Sequence, residues 1–264
     1  MKLPNIGVKN SEFSGDVLAS WLDENFVRFT SVEYSDINAL FMPYAASEMC
    51  SLMVLQTLKQ ITSYERYQRI VVLGCAPTRV TKGIYISDGS PYRTEITEFS
   101  TALDPELQEK VSALDLTMPL TEVSQDFIDL CDIAQNLPII ATATAEHMLP
   151  IVPVTYKNAE QEDLKRLLDL LIGSGSLVIL CGGLSHSLSI HESKSLDSEA
   201  ISKVIALDSS IRNIQCNCFT ALNSLVQLAD AHYWRPRLIS YQSTGSKHNI
   251  KNTAGYASIV FYRQ

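Results

Sequence analysis

The stretch VVLGCAPTRVTKG, residues 71–83, decides how the rest of the chain is read. With Ile70 ahead of it, Val71-Val72-Leu73 is an unbroken apolar run, as a strand buried on both faces requires. Gly74 permits a turn, and the chain then changes character to Cys75, Pro77, Thr78 and Arg79. In an open α/β sheet, ligands bind just outside the carboxyl ends of the strands. A site there would need other strands to end in the same way.

Several do. The run INALFM (37–42) stops at Pro43-Tyr44, and LVILC (177–181) runs into Gly182-Gly183, Ser185 and His186. LISY (238–241) leads through Tyr241 to Ser243-Thr244. Further strands are expected at 83–86, at 256–262 and at 150–155, where two prolines suit a strand start or a sheet edge. Helices are expected over 14–29 with Ser14 as N-cap, 47–61, 104–116 after an Asp104-Pro105 start, 125–134, 158–171, 197–208 and 221–231. Strands alternating with helices predict an α/β fold: a mainly parallel or mixed central sheet covered by helices on both faces. No linker, repeat or low-complexity segment interrupts it, so residues 1–264 read as a single domain.

With 46% apolar and 19% charged residues, the chain can bury a sizeable core. A net charge of -8 argues against nucleic acid and anionic membrane surfaces as partners, because phosphate binding needs a concentrated basic stripe. The most basic stretch, 235–251, is only mildly positive. The start MKLPNIGVKNSEF has neither an apolar signal core nor an Arg-rich amphipathic pattern, and no apolar run is long enough to span a bilayer. A cytoplasmic protein is expected, with a small molecule as its partner; homo-oligomerisation stays open. In that compartment the six cysteines, at 50, 75, 131, 181, 216 and 218, are reduced. Cys216 and Cys218 form one Cys-x-Cys, and no second pair completes a zinc-ribbon spacing.

Two residues stand out chemically. His186, after the double glycine, has the chemistry of a metal ligand or general base, or is simply solvated. Cys216 precedes a helix whose positive end lowers a thiol pKa, which suits a nucleophile; the alternative is a small buried filler. His147, with Glu146 to orient it, is a weaker candidate, and His191, His232 and His248 read as surface residues. GSGS at 173–176 is not a phosphate loop: no Lys-Ser/Thr follows, and it precedes a strand.

The order of these motifs resembles the Memo-like family, also called AmmeMemoRadiSam system protein B, whose fold is related to class III extradiol dioxygenases. The C-terminal stretch LISYQSTGSKHNIKNTAGYASIVF (238–261) carries most of the resemblance, with its Tyr, Ser-rich turn and Gly-Tyr-Ala strand. RIVVLGCAPTRV (69–80) is similar to the family's strand ending in Leu-Gly-Pro-x-His-His, and INALFMPYAAS (37–47) to its Pro-His-Ala-Gly strand. LVILCGGLSHS (177–187) is similar to its Ser-Ser-Asp-Phe-Ser-His motif, and IQCNCFTAL (214–222) to its Cys-Gly-x-x-Pro-Ile motif.

The resemblance implies a metal-centred pocket at these strand ends, but the sequence departs from the ligand pattern. Tyr44 stands in place of one histidine, Pro77 and Thr78 in place of the paired histidines, and Gly183 in place of the aspartate. Two further family histidines fall on Cys131 and Asn136. Only His186 and Cys216 remain of the implied set, too few for a mononuclear metal. A degenerate metal site is therefore expected, with no metal and no cofactor. Cys216 and His186 are the candidate catalytic pair, and Tyr44, Cys75, Thr78, Arg79 and Tyr241 the candidate substrate-binding residues.

Three functions fit this sequence. The first is a metal-independent enzyme acting on a small organic substrate in a specialised biosynthetic pathway. The second is a non-catalytic binding or scaffold protein on the same frame. The third is a dioxygenase-like metalloenzyme with a rearranged ligand set that draws on other cysteines.

Overall fold

The computed structural model describes residues 15–263, except 33, 35, 95 and 246–251. Ser14 and His248 lie outside the described residues. The strands are β1 (Asp36–Met42), β2 (Arg69–Cys75), β3 (Gly83–Ser87), β4 (Tyr92–Arg93), β5 (Glu98–Phe99), β6 (Leu120–Val123), β7 (Ile151–Lys157), β8 (Ser176–Cys181), β9 (Arg235–Ser243) and β10 (Gly255–Arg263). All but the β4–β5 hairpin join one mixed sheet in the order β6-β3-β7-β2-β8-β1-β10-β9. Its centre, β7-β2-β8-β1, is parallel throughout, while β3 and β10 flank it antiparallel.

The apolar run that opened the reading explains this centre. Val71 and Leu73 face one hydrophobic layer and Ile70 and Val72 the other, all four without exposure. Fully burying each such side chain is worth about 1.5–3 kcal/mol. On the first face lie α3 (Pro105–Ser112), α6 (Gln161–Gly173), α7 (Ile190–Ile205) and α8 (Phe219–Ala231), through residues such as Val111, Leu168, Val204 and Leu225. On the second lie α1 (Gly15–Phe26), α2 (Glu48–Leu58) and α5 (Leu137–Ala143), through Trp21, Leu55 and Ile140.

Local chemistry sets the helix starts. The Asp104 side chain accepts from the Leu107 N–H at 2.9 Å with Pro105 in the first turn, and Ser47 caps α2 through Cys50. A reciprocal Ser189–Glu192 capping box starts α7, seven residues before the expected 197. The expected helix over 125–134 is broken. α4 (Gln125–Ile128) is followed by a 3₁₀ turn, Asp132–Gln135, and α5 begins after Asn136 with Pro138 in its first turn.

The reading of 150–155 as a start or edge also needs correcting, because β7 is an interior strand. Pro153 fits there for a specific reason. The Ile151 N–H points away from β2, to the Ser100 carbonyl, so two residues on the Pro153 nitrogen faces the β3 side. The β3 pairing ends with Ile86 opposite Val154, so no ladder bond is asked of the proline. Among the described residues, no helix is long and apolar enough to cross a membrane.

Candidate functional site

The parallel strands all run toward one rim of the sheet, and there four chain segments meet. β1 leaves through Pro43-Tyr44-Ala45, β2 ends at Cys75, β7 at Tyr156-Lys157, and β8 at Cys181 followed by Gly182. A cleft of about 830 Å³ opens over the ends of β2 and β7, lined by Cys75, Pro77, Thr78, Tyr156, Asn217 and Thr220 among others.

The segments lock together through two asparagine side chains whose roles the sequence does not reveal. Asn136 is wholly buried; its Oδ1 accepts from the Ala45 N–H at 3.0 Å and its Nδ2 donates to the Pro43 carbonyl at 2.9 Å, which fixes the turn carrying Tyr44. Asn217 holds the other side: its Oδ1 accepts from Gly183 N–H at 2.9 Å, and its own N–H donates to the Gly183 carbonyl at 3.2 Å. Gly182 is needed for proximity. A Cβ there would lie 2.2 Å from the Cys218 sulfur.

Cys75 is the centre of the cleft floor. Its thiol donates to Tyr156 Oη at 3.7 Å and lies 3.6 Å from the Asn217 carbonyl oxygen. Burial pushes its pKa up to about 11, while the hydroxyls of Tyr156 and Tyr44 act in the opposite direction. The Tyr44 ring is 8% exposed and its hydroxyl completes no hydrogen bond, although it sits beside Cys75. Burial, then the neighbouring thiols, hold both phenols neutral. At the rim, Asp132 has a pKa raised by partial burial.

Behind Cys75 lie Cys216 and Cys218, both 0% exposed, with sulfurs 3.5 Å apart. The Cys216 thiol and then burial raise the Cys218 pKa well above the ordinary thiol range, with Cys75 and Cys181 adding to the effect. Cys75 and Cys181 are thus near enough to the Cys216–Cys218 pair to act on it electrostatically.

The expected site residues separate as follows. Tyr44, Cys75 and Cys216 come together, and Thr78 stands on the cleft wall. Arg79 is exposed and outside the cleft lining. His186 is exposed and, among the described residues, has no side-chain hydrogen-bond partner, whereas Cys216 is enclosed against Cys218; no contact couples the two. Tyr241 belongs to a different cluster, donating at 2.8 Å to Asp197 Oδ2, which also receives Ser193 Oγ, while Asp197 Oδ1 accepts from Ser185 N–H. His147 stacks on Tyr64, and His232 pairs with Asp169 at 2.7 Å.

The metal that the resemblance implies does not fit these residues. Tyr44 offers a neutral phenol, Pro77 and Gly183 no side-chain donor, and Asn136 is fully engaged with backbone. Among the described residues, no group of three or more His, Cys, Asp or Glu side chains is placed to hold a metal ion.

No family model matches the sequence, and no curated protein does. Among solved structures, the chain is similar to the uncharacterized protein JW3007 from Escherichia coli K12. The TM-score is 0.52 at 12% identity, over 83% of this chain and 98% of that one. At that identity the likeness concerns fold alone, and the mixed α/β sheet flanked by helices is common to both.

Proposed function

We propose that the protein is a divergent Memo-like member that takes a small organic substrate into the cleft above Cys75 and acts on it through thiol and phenol groups, without a metal. The observation that carries this reading is the meeting of the β2 and β7 ends and Asn217 at one cleft, where Cys75 lies beside Tyr156 with the buried Tyr44 behind it. Open α/β sheets place their ligands at this position. Cys75 replaces the Cys216–His186 couple as the reactive group, because it alone among the six thiols is not buried. A cytoplasmic setting keeps those thiols reduced.

A second reading, a binding protein without turnover, draws on the Cys75 pKa of about 11. At neutral pH that thiol is protonated, which suits holding a ligand better than attacking one.

The test is a fragment library of small organic compounds screened by thermal shift, with iodoacetamide labelling of Cys75 as second readout. Compounds that raise Tm should also shield Cys75, and Thr220→Trp, which fills the cleft wall, should abolish both effects. A library without a single hit, or hits that leave Cys75 labelling unchanged, would remove the proposal.

A further inference from the structure

We propose that Cys216 and Cys218 are a redox-active dithiol that a low-molecular-weight disulfide oxidises through Cys75, the thiol that faces the cleft. This rests on the cleft reading above and specifies its substrate class. Three observations carry it. The two sulfurs are 3.5 Å apart with nothing between them, and an approach of roughly 1.5 Å reaches disulfide bonding distance. Cys75 lies 3.6 Å from the carbonyl of Asn217, the residue between the two cysteines, so the half-buried thiol and the enclosed pair adjoin. The unpartnered Tyr44 hydroxyl, more than nine-tenths buried, sits beside Cys75 as a donor lacking an acceptor. A thiolate on Cys75 would supply that acceptor.

The substrate is small because of access. Cys75 meets the incoming disulfide and is only partly exposed, in a cleft of about 830 Å³ that admits a molecule the size of glutathione disulfide. The exchange balances without another reactant. Cys75 loses its proton and attacks one sulfur of RS–SR; that S–S bond breaks, a mixed disulfide forms on Cys75, and RS⁻ leaves and takes up the proton. A thiol of the 216/218 pair then attacks the Cys75 sulfur and expels the second RSH. Its neighbour attacks in turn, closing Cys216–Cys218 and returning Cys75 as a thiol. The net change is one RS–SR reduced to two RSH and one dithiol oxidised. Ring closure would also pull on Asn217, whose side chain and N–H hold Gly183, so oxidation reshapes the cleft floor.

Folded protein incubated with glutathione disulfide at pH 8.5, then alkylated in denaturant and digested with trypsin, tests this. The tryptic peptide 213–237 contains both cysteines and no other. It should escape alkylation and weigh two hydrogen atoms less. Cys75→Ser should slow its formation by about tenfold or more, and the double variant Cys216→Ser/Cys218→Ser should trap a glutathione adduct on Cys75. Two fully alkylated thiols in that peptide from wild-type protein would overturn the proposal, as would a wild-type rate in Cys75→Ser. If that happens while library hits still shield Cys75, only the dithiol fails and the cleft reading stands; with no hits, the cleft reading itself has failed.

Discussion

Asn136 uses both ends of its amide on backbone of the turn that follows β1, and it is wholly enclosed. Asn136→Ala leaves the Ala45 N–H and the Pro43 carbonyl without partners, and each such loss costs about 1–3 kcal/mol. Urea unfolding should show a drop of about 2–6 kcal/mol for the two losses together, with an unchanged slope, and Cys75 should label faster as Tyr44 loosens beside it. A variant as stable as wild type would mean that the turn is held by something else. Sequence could name Tyr44 and Cys75, because each ends an apolar run. It reached Asn136 only as a position where the resembled family has a histidine, and it could not name Tyr156 or Asn217, because these roles come from partners far along the chain. Tyr156 carries one usable signal: it directly follows the strand expected at 150–155, as Tyr44 and Cys75 follow theirs.

Among the elements, the junction between β8 and the 216–218 turn is tightly closed. Cys218 occupies the space that a side chain on residue 182 would need, and Asn217 Oδ1 would lie 3.1 Å from the same Cβ. Gly182→Ala should therefore cost about 1–3 kcal/mol, since a fully buried sulfur has nowhere to retreat. Thermal unfolding compared with a neutral control such as Gly173→Ala, where a Cβ meets nothing within 4 Å, checks this. An equal fall in both variants would count against it. The double glycine was legible as a place where the chain needs room, but the need is for a neighbour's sulfur. Elements with long apolar stripes or runs were readable because burial on two faces leaves no choice of pattern. β6 and the β4–β5 hairpin were not, since short, partly exposed segments carry no such signature. The break at 129–136 was hidden because Leu137-Pro138 both ends one helical pattern and opens the next.

At the level of the whole molecule, a set of buried thiols and phenols shifts in one direction. Burial lifts Cys75 and Cys131 to about 11 and Tyr67 to about 12, and Tyr44, Tyr156 and Cys218 move in the same direction. The unfolded chain releases thiol protons near pH 8.5, while the native state keeps them. Stability is thus fully present below about pH 8.5 and declines as pH rises through 11. Urea midpoints should fall steadily from pH 8 to pH 10.5; a flat profile would contradict the assignment. The two ends of the sheet have a consequence of their own. A sheet with open rims invites another chain to add a strand, and long flat rims seed fibrils. Here one rim is β6, four residues entered from Pro119, and the other is β9, which begins Arg235-Pro236-Arg237. A stub at one margin and a proline between two cations at the other leave a newcomer little backbone to grip, so the protein carries its own protection against templated aggregation.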